Sequence, residues 1–475
     1  MSFVDKIPEA DRQNYTDVSD WAAHYSSYTA PTVTPSERIT LNIYRKIFIN
    51  NVYFNGTYLF GLKFKNCYFR GEVGFSDLIF KGDLIFDHCF FDSQIYFGLN
   101  TDFNSELRIV NAAISKKVII IGGKFENCRW SFVENPEIKI EGGEYRSLII
   151  GFFSPSQIGD LSLNFANIKG DIKVRGDIGS LHLEESSSDV SISIEDANVN
   201  YLSIYRFRNE KSFRLLNIRP LENGSRSEVS IFESYMGKSE FYSFFLNLFS
   251  EVNIVDSSLV DCSFVNIDWN FTLGSFKGKN IGNSQDNKAI KEKIKKIETG
   301  QYINDTEKEK LKKDSTVLEY YFKSRETLRQ LKYALSKQGD VINEQKFHSR
   351  EMMAYVKTLV RSEDENTRLI INFSHWFSDF GQSISKPLLW LLAIHWILFM
   401  LLVIGDHFTD LKISTDGPTF DGFVCGVEYY FKLINPLRRD EEEFHGFATI
   451  MDIIMRIWSS YMIYNFVRAS RRFIK

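Results

Sequence analysis

From residue 62 to 97 the apolar positions fall on a beat that fits neither helix nor simple strand. Phenylalanine stands at Phe64, Phe69, Phe75, Phe80, Phe86, Phe91 and Phe97, in steps that alternate five and six. A helix would repeat at three and four, and a strand at two. Two places before each ring stands another apolar or small residue: Leu62, Cys67, Val73, Leu78, Leu84, Cys89 and Ile95. Each unit therefore reads as a very short strand whose alternate residues point to one side. Gly71, Gly82 and Ser93 follow at the next such interval, where a chain turning a corner favours small residues. Strand and corner in alternation predict a coil that climbs on itself, a β-solenoid in which each turn buries its inner face on the next.

The beat returns later. "FENCRW" at 125–130 repeats "FKNCYF" at 64–69, and Ile254, Leu259, Phe264 and Trp269 stand at strict fives. Between these islands "DIKV", "SLHL", "SISI" and "YLSI" recur as alternating strands. The pattern predicts one irregular solenoid over 43–272, after an N-terminal segment over 1–42. With a coil of about 20 to 22 residues, Phe64 would lie under Phe86 and Cys67 under Cys89. The spacing resembles the pentapeptide-repeat family, whose quadrilateral coils carry a large apolar residue at the repeat centre and a small one two places earlier. That resemblance implies a mainly β fold built on an irregular right-handed solenoid. The sixes depart from the family's strict fives.

Beyond Trp269 the patterning changes. Residues 273–314 carry eleven lysines among Asn, Gly and Glu, which suits a solvated linker or exposed helix and leaves a phosphate-binding patch open. Over 315–361, Leu318, Phe322, Leu328, Leu331 and Leu335 form a helical stripe and Gly339 suits a C-terminal cap. Ile342, Phe347, Tyr355 and Leu359 continue on a second helix. The expected product is an α-hairpin closing the solenoid's open end. "LRQLKYALSKQGD" resembles a segment that follows the repeats in bacterial membrane members of the family.

The C-terminal hundred residues point to a bilayer. "PLLWLLAIHWILFMLLVI", 387–404, has no formal charge, and its eighteen residues span about 27 Å as a helix. Before it, 366–386 carries Phe373, Trp376, Phe377 and Phe380 as one face of an interfacial helix, with Lys386 as an anchor. "FATIMDIIMRIWSSYMIYNFV", 447–467, has the length of a second span but holds Asp452 and Arg456. Residues 387–475 thus read as a two-span membrane domain. The loop 405–446 holds nine acidic residues against four basic ones, whereas the tail carries Arg468, Arg471, Arg472 and Lys475. Basic flanks stay inside, so both termini are expected in the cytoplasm and the protein in the inner membrane. This two-helix segment resembles the ion-channel-like domain of such family members, although its loop lacks a "TVGYG"-like filter. "FVCGVEYYFKLINPL" reads either as a re-entrant or interfacial helix or as a surface helix stopped by Pro436.

Three intramembrane polar residues are the candidate site: His395 in the first span and Asp452 and Arg456, one turn apart, in the second. Arginine at mid-bilayer costs at least about 2.5 kcal/mol, so Arg456 should find Asp452 and reach toward His395. Such a group either glues the helices or lines a water path once copies assemble.

Composition narrows the rest. A net charge of −4 over 475 residues argues against a nucleic-acid partner. It also weakens the DNA-mimic role known among soluble members of the family. The expected partners are the lipid bilayer and either another protein or further copies of the chain. Five cysteines, three on the inward beat (Cys67, Cys89, Cys262), read as core fillers. No phosphate-cradling loop, "HExxH", paired CxxC or serine elbow is present, and the histidines show no metal-ligand spacing. No enzymatic activity and no cofactor is expected.

Overall fold

The computed structural model describes residues 14–18, 40–134, 136–152, 159–185, 189–208, 210–221, 227–271, 273, 292–297, 299–301, 306, 310–311, 314–359, 365–405, 419–438 and 446–471. Most of the N-terminal segment, residues 406–418 and 439–445 of the acidic loop, the lysines from Lys277 to Lys291, and the tail from Arg472 lie outside them. The chain divides into two units, one of residues 1–308 with 333–338, the other of 309–332 with 339–475.

The first unit is a parallel β-solenoid of about ten turns. Its ladder runs through Leu62, Leu84, Leu107, Cys128, Leu148, Ile172, Ile192 and Phe213, each paired with the next. Phe64 lies under Phe86 in the same register, and Tyr68 pairs with Phe90, which sets Cys67 under Cys89. The rings stack in columns: Phe64 on Phe86 at 5.0 Å, Phe69 on Phe91 at 4.8 Å, Phe75 on Phe97 at 4.7 Å. All seven phenylalanines of the 64–97 run are buried. Phe264 is half-buried, stacked on Phe241 at 5.0 Å with Trp269 at its edge.

The corners differ from expectation in one respect. Left-handed backbone falls on residues with side chains, Arg45, Asn66 and His88 in one column, at φ near +50°. Gly71 and Gly82 have no positive φ; they let successive coils touch. A Cβ at Gly82 would sit 2.3 Å from the backbone carbon of Phe60, and one at Gly71 2.5 Å from that of Asn50. Further along, strands lengthen to Thr101–Ile114, Ile168–Glu184 and Val190–Tyr205, because the ladder runs through the bends by β-bulges.

Charges on the outer surface pair along the stack. Glu195 receives Lys173 at 2.6 Å and Arg175 at 2.7 Å, and Arg206 meets Glu233 at 2.9 Å. Burial alone would raise the Glu195 carboxyl, but hydrogen bonds from Lys173, Arg175 and Ser193 outweigh it and hold it at about 2. At the solenoid's end, Gln338 Nε2 donates to the Cys262 carbonyl at 2.5 Å and Lys337 pairs with Asp261.

Helix α1, Ser315–Gln338, and helix α2, Val341–Thr358, form the hairpin. Gly339 turns it at φ +77°, and Asp340 caps α2 by accepting from Asn343 N–H at 3.1 Å. In the first half of α1 the inward stripe is shifted by one residue from the expected one. Val317, Tyr321 and Ser324 are buried, whereas Phe322 is 63 % exposed. Lys332 on α1 and Glu351 on α2 join the helices by a buried pair at 2.7 Å. The remaining helices of the second unit are α3, Glu365–Ser378, α4, Ser385–Ile404, α5, Phe420–Ile434, and α6, Phe447–Arg471.

Candidate functional site

Helix α4 is the one helix among the described residues that is both long and apolar enough to cross a bilayer. Only 28 % of its apolar window is buried, whereas the core helix of a soluble protein would be mostly covered. Helix α6 packs along it, with Met451 and Met455 in one cluster with Phe399 and Leu402, and Met462 with Leu391. The expected aromatic face of the preceding helix is divided. Phe373 and Trp376 are exposed on α3 with Leu369 and Ile370, but Phe377 turns inward against Trp390 and Trp458, and Phe380 lies beyond the helix end, buried.

The three candidate residues belong to one hydrogen-bonded chain that contains two members the sequence did not single out. Helix α5 stops at Ile434 because Asn435 precedes Pro436, a position that disfavours helical backbone. The Leu433 carbonyl is thereby left without an intrahelical partner. His395, fully buried on α4, brings Nε2 to within 3.1 Å of that oxygen, and Arg438 Nη1 donates to it as well. A cation at a helix C-terminus is also favoured by the aligned peptide dipoles. Arg438 then pairs with Asp452, which accepts from Arg456 Nε at 2.8 Å, and Arg456 Nη1 donates to the Arg438 carbonyl at 3.3 Å. Asp452 thus holds the i+4 partner expected for it. His395 reaches the pair through Leu433 and Arg438, not by direct contact.

This arrangement ties three helices at one level. The C-terminal end of α5 lies against the middle of α4, where Tyr430 O–H donates to the Leu392 carbonyl at 2.9 Å and stands edge-on to the His395 ring at 5.6 Å. The ion pair is nearly dry: Arg438 is 12 % and Asp452 10 % exposed, against 26 % for Arg456. The "NPLRR" run was the available signal, since a proline stop followed by arginine marks a helix end whose last carbonyls need donors.

On the solenoid one corner offers a second candidate. Gly122, Gly123, Gly142 and Gly143 floor a groove of about 900 Å³ between the exposed Leu99 and Asn167. Gly123 and Gly143 stand at φ +117° and +122°, and a Cβ on Gly123 would lie 2.2 Å from Thr101 Oγ1. Among the described residues no group of three or more His, Cys, Asp or Glu side chains could hold a metal ion. Comparison of the chain with models of known protein families, with curated proteins and with solved structures finds no match.

Proposed function

We infer that the chain is a bacterial inner-membrane protein in which a cytoplasmic solenoid senses or docks a partner and thereby governs a two-helix membrane module that leaks ions, as a stress or anti-phage defence effector would. The observation that carries this reading is the Arg438–Asp452–Arg456 group, tied through the Leu433 carbonyl to His395 in the middle of α4, the one helix among the described residues that is both long and apolar enough to cross a bilayer. Charges are costly there and are kept where a pathway or a coupling needs them. Helix α6 supplies the second span, since its 25 residues exceed what a bilayer requires and its internal charges are hydrogen-bonded. Termini on the cytoplasmic side follow from the basic tail and the acidic loop.

The glycine-floored groove favours a second reading, a passive membrane-anchored scaffold that holds a protein partner near the bilayer. Induced expression in bacteria with a potential-sensitive dye separates the two. Depolarisation on induction supports the effector, and an unchanged potential at full membrane insertion leaves the scaffold.

A further inference from the structure

Helix α6 carries two seams back to back. Ala448, Met451, Met455 and Met462 are buried toward α4. Ile453, Ile457, Ser460, Tyr464 and Val467 step by four and three residues alternately, the spacing with which a helix packs along a partner helix. Positions two residues apart on a helix lie about 200° apart, so the second seam faces away from the first. Among the described residues nothing covers it: Ile457 is 65 % and Tyr464 63 % exposed.

A purely apolar seam could rest in lipid, but this one is not purely apolar. Arg456, at its edge, opens with Ile457, Ser460, Tyr461 and Tyr464 onto a groove of about 470 Å³. The other polar side chains at this depth on α6, Asp452, Ser459 and Asn465, are buried within the module. Polar groups at membrane depth turn toward protein or water, so the exposed hydroxyls need a cover. A hydroxyl both donates and accepts, which lets Ser460 and Tyr464 pair with their own symmetry copies. Arg456 keeps its partner Asp452.

Taking α6 as a membrane span, as the proposed function does, we propose that this seam is the contact between copies of the chain, α6 against α6, with the hydroxyl groove turned to the interior of the assembly. The test uses the full chain in native membranes with Cys425→Ser, since the other four cysteines are buried. Ser460→Cys and, separately, Tyr464→Cys are oxidised with copper phenanthroline, and Ile454→Cys, exposed but about 100° off the seam, is the control. The seam variants are expected to convert for the larger part to disulfide-linked dimer while the control stays monomeric. Inserted protein that cross-links no better at 460 and 464 than at 454 overturns the proposal. Depolarisation without these cross-links would overturn the seam and leave the leak standing, and cross-links without depolarisation would do the reverse.

Discussion

Removing the charges of the helical module one by one should give a stability series that follows who shares Asp452. Asp452→Leu leaves Arg438 and Arg456 without their carboxylate, both partly or wholly dry, and breaking a buried pair from one side costs about 3 to 5 kcal/mol. Arg456→Met should cost less, because Asp452 keeps Arg438 and Arg456 is the more exposed partner. The double variant Asp452→Leu/Arg456→Met tests the geometry most sharply. Were the pair self-contained, apolar isosteres would be close to neutral. In this structure the double variant strands Arg438 without a carboxylate, leaving it the neutral backbone carbonyls of Leu433 and Asn435, and should stay destabilised by roughly 2 to 4 kcal/mol. Adding Arg438→Met should restore most of the loss. The assay is thermal unfolding of the detergent-purified full chain, followed by Trp fluorescence, with inserted amounts checked in membranes. A double variant as stable as wild type, or a triple variant no better than the double, would refute the shared-carboxylate arrangement.

Three further outcomes follow from the solenoid. Phe86→Ala removes a fully buried ring stacked at 5.0 Å on Phe64 and should cost about 3 to 5 kcal/mol, whereas the half-buried Phe264 should cost about half as much; equal losses in urea unfolding would contradict the column. Gly82→Ala forces a Cβ to 2.3 Å from the Phe60 backbone and should lower protease resistance, while Gly56→Ala, with open space at its Cβ, should act only through its φ of +80°. The Glu195 carboxyl is lowered from 4.5 to about 2, so its pairing contributes stability above pH 4.5 that is lost as pH falls toward 2; solvent screening keeps the amount near about 1 kcal/mol, and Glu195→Gln should flatten that part of the pH profile.

The solenoid was legible because its signal is local and repeated. A ring every five or six residues with a small residue two places earlier has one economical solution, and the register of Phe64 on Phe86 follows from the repeat length alone. What the repeat does not encode is how the ladder passes a corner. The bulges that make Thr101–Ile114 a single bent strand depend on backbone hydrogen bonds to neighbouring coils, and the glycines at 71 and 82 answer to the coil beneath them. In α1 the choice between Tyr321 and Phe322 for the inward place rests on the partner helix, since either satisfies a helical period.

The polar site of the helical unit was half legible. Asp452 and Arg456 announce each other by their i, i+4 spacing. Their third partner could not be read this way, because Arg438 reaches them from another element and His395 meets a backbone oxygen, a group no side-chain motif records. Asp452 and Arg456 lower the mean hydropathy of α6, and among the described residues α4 alone is both long and apolar enough to cross a bilayer.

The central claim, that the helical module leaks ions, is tested most directly by flux through the purified full chain reconstituted into liposomes of bacterial lipid. The account predicts dissipation of an imposed potassium gradient, lost in the Asp452→Leu/Arg456→Met/Arg438→Met variant although that variant inserts and unfolds like wild type. Liposomes that stay tight with wild-type protein correctly inserted, or that leak equally with the triple variant, would contradict it.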